Sequence, residues 1–226
     1  MQKYIIGNWK CNPINKKEAK NLFDSLSKKI SQQKGIEVVI CPPFVYLSYF
    51  PGKGIMKLGS QDCFWENKGS YTGEISPSQL KDLGCKYVII GHSERRKHQE
   101  ETDYIINRKI KSVLSAGMTP IMCIEKDSQI KGGLKGLSNG DIKKVIIAFE
   151  PIAAIGTGKA YDIESAKRIR NLIKKKVKME IPVLYGGSVD SSNARDYIVN
   201  ATFDGLLIGG ASLKPDEFSK IIKSLK

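Results

Sequence analysis

From end to end the sequence alternates apolar, β-branched runs with amphipathic stretches. The runs are YIIGNW (4–9), EVVICPP (37–43), MKLGSQD (56–62), YVIIGH (87–92), TPIMCIE (119–125), VIIAFEP (145–151), PVLYGGS (182–188) and DGLLIGG (204–210). Several are near-continuous in Val, Ile and Leu, the pattern of strands buried on both faces of a parallel sheet. Between them, KKEAKNLFDSLSKKI (16–30) sets Ala19, Leu22, Phe23, Leu26 and Ile30 along one helical stripe. TDYIINRKIKSVLSAG (102–117) predicts a helix with Thr102 as N-cap and Gly117 at the C′ position. Residues 162–177 and 214–225 show similar faces, and shorter pieces follow strands two, three and seven.

Eight strands with helices between them, no long linker and no break in composition predict an α/β fold, a (β/α)8 TIM barrel in a single domain over residues 1–226. An open doubly wound sheet is the structural competitor. It has fewer strands and, for dinucleotides, a GxGxxG after the first, where this chain reads GNWKCNP.

Hydrophobic residues make up 41% of the 226, enough for a sizeable core. No apolar run approaches the ~20 residues of a membrane span, and MQKYIIGNWK lacks the features of a signal peptide. Both point to the cytoplasm. Five cysteines (Cys11, Cys41, Cys63, Cys85, Cys123), odd in number and without a CxxC, argue against a disulfide framework and a zinc site. Most sit in or beside the strand-like runs and read as small buried hydrophobes in a reducing setting. The net charge of +14 attracts anions, whether nucleic acid, acidic lipid or phosphorylated metabolites. Much of it lies on helical faces such as KRIRNLIKKKVK (167–178), and no basic segment interleaved with aromatics suggests a nucleic-acid partner.

In such a barrel the chemistry sits at the C-terminal strand ends. Strand one ends in Asn8-Trp9-Lys10, where period two points Asn8 and Lys10 together, and an inward lysine needs an anion. Strand four ends in Gly91-His92-Ser93-Glu94-Arg95-Arg96, which places His92 at a helix N-terminus, where a neutral imidazole is favoured. His98 has no such setting and reads as surface. Glu150 ends strand six. Gly-rich turns follow strands six (Ile155-Gly156-Thr157-Gly158), seven (Gly186-Gly187-Ser188) and eight (Gly209-Gly210-Ala211-Ser212), offering backbone donors to a phosphate. One carboxylate, one neutral histidine, one lysine and a phosphate cradle suit proton abstraction beside a carbonyl in a small phosphorylated substrate. With no second carboxylate beside Glu150 and no metal-ligand cluster, glycosidase and metal-hydrolase readings are disfavoured. A non-catalytic basic barrel that binds anions is the alternative from a different class.

The motifs GNWKCN (7–12), YTGEISP (71–77), GHSERR (91–96), EPIAAIGTGK (150–159), YGGSV (185–189) and GGASL (209–213) resemble those of the triosephosphate isomerase family, in its order and over nearly the whole chain. The resemblance implies interconversion of dihydroxyacetone phosphate and D-glyceraldehyde 3-phosphate without a cofactor or metal. It implies Glu150 as base, neutral His92 as the proton shuttle between oxygens, Lys10 as the stabiliser of negative charge and Asn8 as a substrate contact. Glu94 carries over as a partner near Lys10; Gly156, Ser188, Gly209 and Gly210 carry over as phosphate contacts. Pro151, Ile152, Ala153, Ala154, Ile155, Gly156, Thr157 and Gly158 become a lid that excludes water from the site. Thr72 lies in the motif that the family uses to reach into a partner subunit, which implies a homodimer with Thr72, Glu74 and Arg95 at its interface.

Two places depart from the family's pattern. Ala153 stands where the lid usually has tryptophan, which predicts altered lid energetics. The connection after strand five is short, and Gly132, Gly133, Gly136 and Gly140 are poor residues for a long helix. The family's glycine between Ile124 and Glu125 is also absent. A fifth helix that is missing or much reduced is expected.

Overall fold

The eight apolar runs form strands β1 (Lys3–Asn8), β2 (Ile36–Cys41), β3 (Met56–Ser60), β4 (Tyr87–Ile90), β5 (Thr119–Ile124), β6 (Ile146–Phe149), β7 (Val183–Tyr185) and β8 (Gly205–Ile208). The structure is a computed structural model that describes residues 2–50, 54–151 and 161–225. Every strand pairs in parallel with the next, and β8 pairs back onto β1, which closes the barrel. Asn8 opposite Cys41 is the last pair of the first ladder. Each strand stops one to three residues before its predicted end.

Strand residues alternate between two apolar layers. Ile6, Val39, Ile89, Ile121, Ile146, Ala148, Leu184 and Leu207 fill the lumen. Ile5, Val38, Ile40, Val88, Met122, Ile147, Val183 and Leu206 pack beneath the helices. Both faces are dry, so the strands carry no polar alternation.

The helices are α1 (Lys16–Lys29), α2 (Pro77–Asp82), α3 (Ser93–His98), α4 (Asp103–Ser115), α5 (Gln129–Gly133), α6 (Asn139–Ile142), α7 (Ile163–Val177), α8 (Ala194–Val199) and α9 (Pro215–Ser224). Their ends follow local chemistry. Asn15 accepts the Glu18 N–H at 2.9 Å to start α1. Thr102 accepts the Ile105 N–H at 3.4 Å to start α4, and Gly117 follows its end at φ +71°, as expected of an N-cap and a C′ glycine. Among the described residues, no helix is long and apolar enough to cross a membrane.

After β5 the expected reduction is present. A five-residue helix, α5, and a four-residue helix, α6, stand in place of a multi-turn element. The glycines do more than weaken helix propensity. A Cβ on Gly133 would lie 2.1 Å from Met122 Cε, so the short helix lies directly against β5 only because that position is bare. Asn107 of α4 ties the segment down by donating to the Gly133 carbonyl at 2.8 Å and the Lys135 carbonyl at 3.0 Å.

A buried ion cluster joins the loop after β3 to α3 and α4. Lys109 Nζ lies 2.8 and 2.7 Å from the two Asp62 oxygens and 2.5 Å from Glu101 Oε1. Arg95 adds contacts of 2.9 Å to Asp62 and 2.7 Å to Glu101. Two carboxylates and two cations make the group neutral, which is the condition for keeping charges away from water. Four of the five cysteines are buried and Cys11 is exposed, in line with the expectation that most are small core residues.

Removing the central cation is costly, since it strands two buried carboxylates. Lys109→Met is expected to lower the unfolding free energy by about 3–5 kcal/mol in urea titration. Burial, opposed by Lys109 and reinforced by Glu101, pushes the Asp62 carboxyl from its ordinary 3.8 up to about 6. The folded chain therefore binds this proton before the unfolded chain does. The contribution of Asp62 to stability is greatest below about pH 4 and is lost as pH rises through 6. Asp62→Asn is expected to flatten that part of the stability–pH curve, and an unchanged slope would refute the assignment.

Candidate active site

The lumen parity carries the first site residues to the mouth. Asn8 lies two residues beyond Ile6, Glu150 two beyond Ala148, Gly186 two beyond Leu184 and Gly209 two beyond Leu207. All four line one cavity of about 320 Å³, together with Lys10, His92, Gly187, Ser188 and Gly210. The chain thus brings together Asn8, Lys10, His92, Glu150, Ser188, Gly209 and Gly210. Glu94 joins them through Lys10, whose Nζ lies 2.5 Å from its Oε1. Residues 152–158 of the expected lid, including Gly156 and Ala153, lie outside the described residues.

Glu150 is not a solvent-facing strand end, being only 1% exposed. Its N–H donates to the Ile124 carbonyl at 2.8 Å, continuing the ladder between β5 and β6 by one residue. Its Oε2 accepts the Ser93 N–H at 2.9 Å, at the first turn of α3. Oε1 lies 3.1 Å from His92 Nε2 yet has no hydrogen-bond donor among the described residues. The Cys123 thiol packs on the same carboxylate. Burial, and then the Glu150 charge, hold it well above its ordinary range, so it stays protonated.

His92 reaches the mouth by a turn rather than by strand parity. Gly91 at φ +71° reverses the direction of β4, a conformation that glycine adopts without strain. His92 then caps α3, and its Nδ1 accepts the Glu94 N–H at 3.2 Å. An acceptor at Nδ1 places the ring proton on Nε2, facing the cavity, in a neutral imidazole.

Lys10 corrects one expectation. It was expected to share a strand face with Asn8, but β1 ends at Asn8 and Lys10 sits at φ +53°. This left-handed backbone costs a non-glycine residue about 1–3 kcal/mol. Its N–H donates to Asn8 Oδ1 at 3.0 Å, and its carbonyl accepts the side-chain amide of Gln61 at 2.8 Å. Burial raises the Glu94 carboxyl, but its hydrogen bond to Lys10 and the Lys10 charge outweigh that and hold it below its ordinary range.

Thr72 and Glu74 lie on an exposed turn, where the Glu74 N–H donates to the Tyr71 carbonyl at 3.1 Å. Arg95 points into the buried ion cluster, and His98 is exposed, as expected. Reading the sequence missed Ser93, Cys123, Gln61 and Asn193. Ser93 was within reach of sequence reasoning, since a residue opening a helix beside His92 presents a free N–H. Cys123 and Gln61 depend on contacts between elements far apart in the chain.

Comparison with known proteins bears on this geometry. The family profile described as triosephosphate isomerase matches residues 3–225. The triosephosphate isomerase of Thermoanaerobacter sp. (strain X514) is 44% identical over 245 residues, covering 96% of this chain and 97% of that protein. That of Dictyoglomus thermophilum is 41% identical over 252 residues, covering 99% of each. That of Geobacter metallireducens is 42% identical over 244 residues, covering 96% of each. These alignments are longer than the 226-residue chain, so the relatives carry segments that it lacks. With a matching profile over nearly its whole length and relatives above 40% identity, the chain belongs to the triosephosphate isomerase family.

Proposed function

We propose that the chain is a single barrel domain that interconverts dihydroxyacetone phosphate and D-glyceraldehyde 3-phosphate. The observation that carries this reading is the buried Glu150 carboxylate, whose Oε1 lies 3.1 Å from His92 Nε2 in the wall of the cavity that Asn8 and Lys10 also line. A buried carboxylate set beside a neutral imidazole in a cavity wall suits a general base. Glu150 takes the proton from the carbon next to the substrate carbonyl and returns it to the adjacent carbon. His92, neutral with its proton on Nε2, donates to the carbonyl oxygen as the enediolate forms and moves the proton between the two oxygens. Lys10 offsets the negative charge, and Asn8 lines the same wall. The phosphate rests against the backbone at Ser188, Gly209 and Gly210, with Gly156 as a further donor and residues 151–158 as the cover that excludes water.

We read the working unit as a homodimer. Ile14 (84% exposed), Val45 (70%), Tyr49 and Tyr71 are exposed apolar or aromatic side chains in the connections after β1, β2 and β3. Lys16 Nζ lies 3.9 Å from the centre of the Tyr49 ring, which joins the loop after β1 to the turn after β2. A groove of about 400 Å³ lies between Lys10, Cys11, Phe44, Arg95 and His98. It has room for the Thr72–Glu74 turn of a second copy. Free thiols, four of them buried, fit a reducing cytoplasm.

Glu150→Gln is expected to keep the fold and inorganic phosphate binding while turnover falls by about 10²–10⁴-fold. A coupled assay on glyceraldehyde 3-phosphate without added metal reads it out; retained turnover would sink the mechanism. For the dimer, sedimentation of the wild type should give twice the chain mass. Thr72→Arg should shift that mass toward one chain, with activity falling on dilution. A variant that stays dimeric and active would place the interface elsewhere.

A further inference from the structure

Beyond the last β1–β2 pair, Asn8 opposite Cys41, the Trp9 N–H still donates to the Cys41 carbonyl at 3.1 Å. Gln61, the first residue after β3, reaches over this extension from the side. Its Nε2 donates to the Lys10 carbonyl at 2.8 Å and to the Cys41 carbonyl at 2.9 Å. Two carbonyls are met, so both amide hydrogens are used, and a carboxylate of the same shape has none to give. The Lys10 N–H is held on its other side by Asn8 Oδ1 at 3.0 Å. The two peptide planes that flank the Lys10 Cα are therefore each fixed by a side-chain amide. Lys10 lies between them in the left-handed region, with Nζ at Glu94 and at the cavity.

On the isomerase reading above, we infer that Gln61 is a positioning residue. It holds the peptide after Lys10 so that this lysine keeps the left-handed backbone which aims its ammonium at the substrate. Without Gln61 the plane between Lys10 and Cys11 is free to turn. The backbone then relaxes toward negative φ, and the Cα–Cβ direction swings away from the mouth. A rival role is purely structural, with Gln61 only stapling β2 to the loop after β3. The two roles differ in whether the effect passes through the Lys10 side chain.

A double-mutant cycle separates them. Gln61→Leu and Gln61→Glu are expected to lower kcat/KM about tenfold to a hundredfold. Most of the loss should appear as a raised KM, because the ammonium meets substrate charge already in the bound ground state. In a Lys10→Ala background the same changes should alter kcat/KM by less than about twofold. Thermal midpoints and sedimentation confirm that fold and assembly are kept. If the buried carboxylate of Gln61→Glu unfolds the loop, Gln61→Leu carries the test. Full activity in both Gln61 variants, or losses that multiply undiminished in the Lys10→Ala background, would overturn the positioning role alone. An inactive wild-type protein would instead sink the isomerase reading and this role with it.

Discussion

A closed ladder of parallel strands has one inward parity, and the chemistry at the mouth depends on it. β1 is bonded to both β2 and β8, so no strand can slip without opening the barrel. A one-residue slip would turn Ile6, Ala148, Leu184 and Leu207 out of the lumen and send Asn8 and Glu150 under the helices with them. The apolar filling of the barrel and the polar set at its rim are thus the same periodicity read at two heights. Packing inside the lumen, rather than any contact at the site, aims Glu150 at the cavity.

The remaining groups reach the mouth where that periodicity is broken. Gly91 turns His92 onto the start of α3, and a left-handed backbone brings Lys10 over the end of β1. Glu94 and Arg96, close in sequence, bond at the first break, and Gln61, distant in the chain, holds the second. Electrostatics divides along the same line. Lys10 has Glu94 as partner, whereas among the described residues Glu150 meets the Ser93 N–H, the Cys123 thiol and the neutral His92 ring. A cation beside Glu150 would stabilise its charge and blunt it as a base. On the proposed mechanism, the lysine would offset negative charge on oxygen while Glu150 takes the proton.

Much of this was legible in the sequence because it rests on local rules. Eight β-branched runs, the Thr102 cap, the Gly117 stop and the glycines after β5 each state a backbone preference within a few residues. Strand parity then places Asn8 and Glu150 correctly. It misplaced the origin of Lys10, because φ +53° at a lysine has no local signature: the supporting amide comes from Gln61, across two strands. The ion cluster was invisible for the same reason. Asp62, Arg95, Glu101 and Lys109 look like ordinary surface charges until β3, α3 and α4 are folded together. Arg95, expected at a subunit boundary, spends its guanidinium inside its own chain.

The thin connection after β5 has a consequence for how the chain tolerates change. Residues 130–134 are locked, with Gly133 against Met122 and Asn107 bonded to two carbonyls. Just beyond, Gly136 and residues 138–140 are exposed and supply no group to the mouth. Surface tips of this kind accept added or relocated chain ends. New termini or an inserted affinity handle between 136 and 140 would leave the residues that line the cavity untouched. The stretch that looks most impoverished as architecture is therefore the most serviceable as an attachment point.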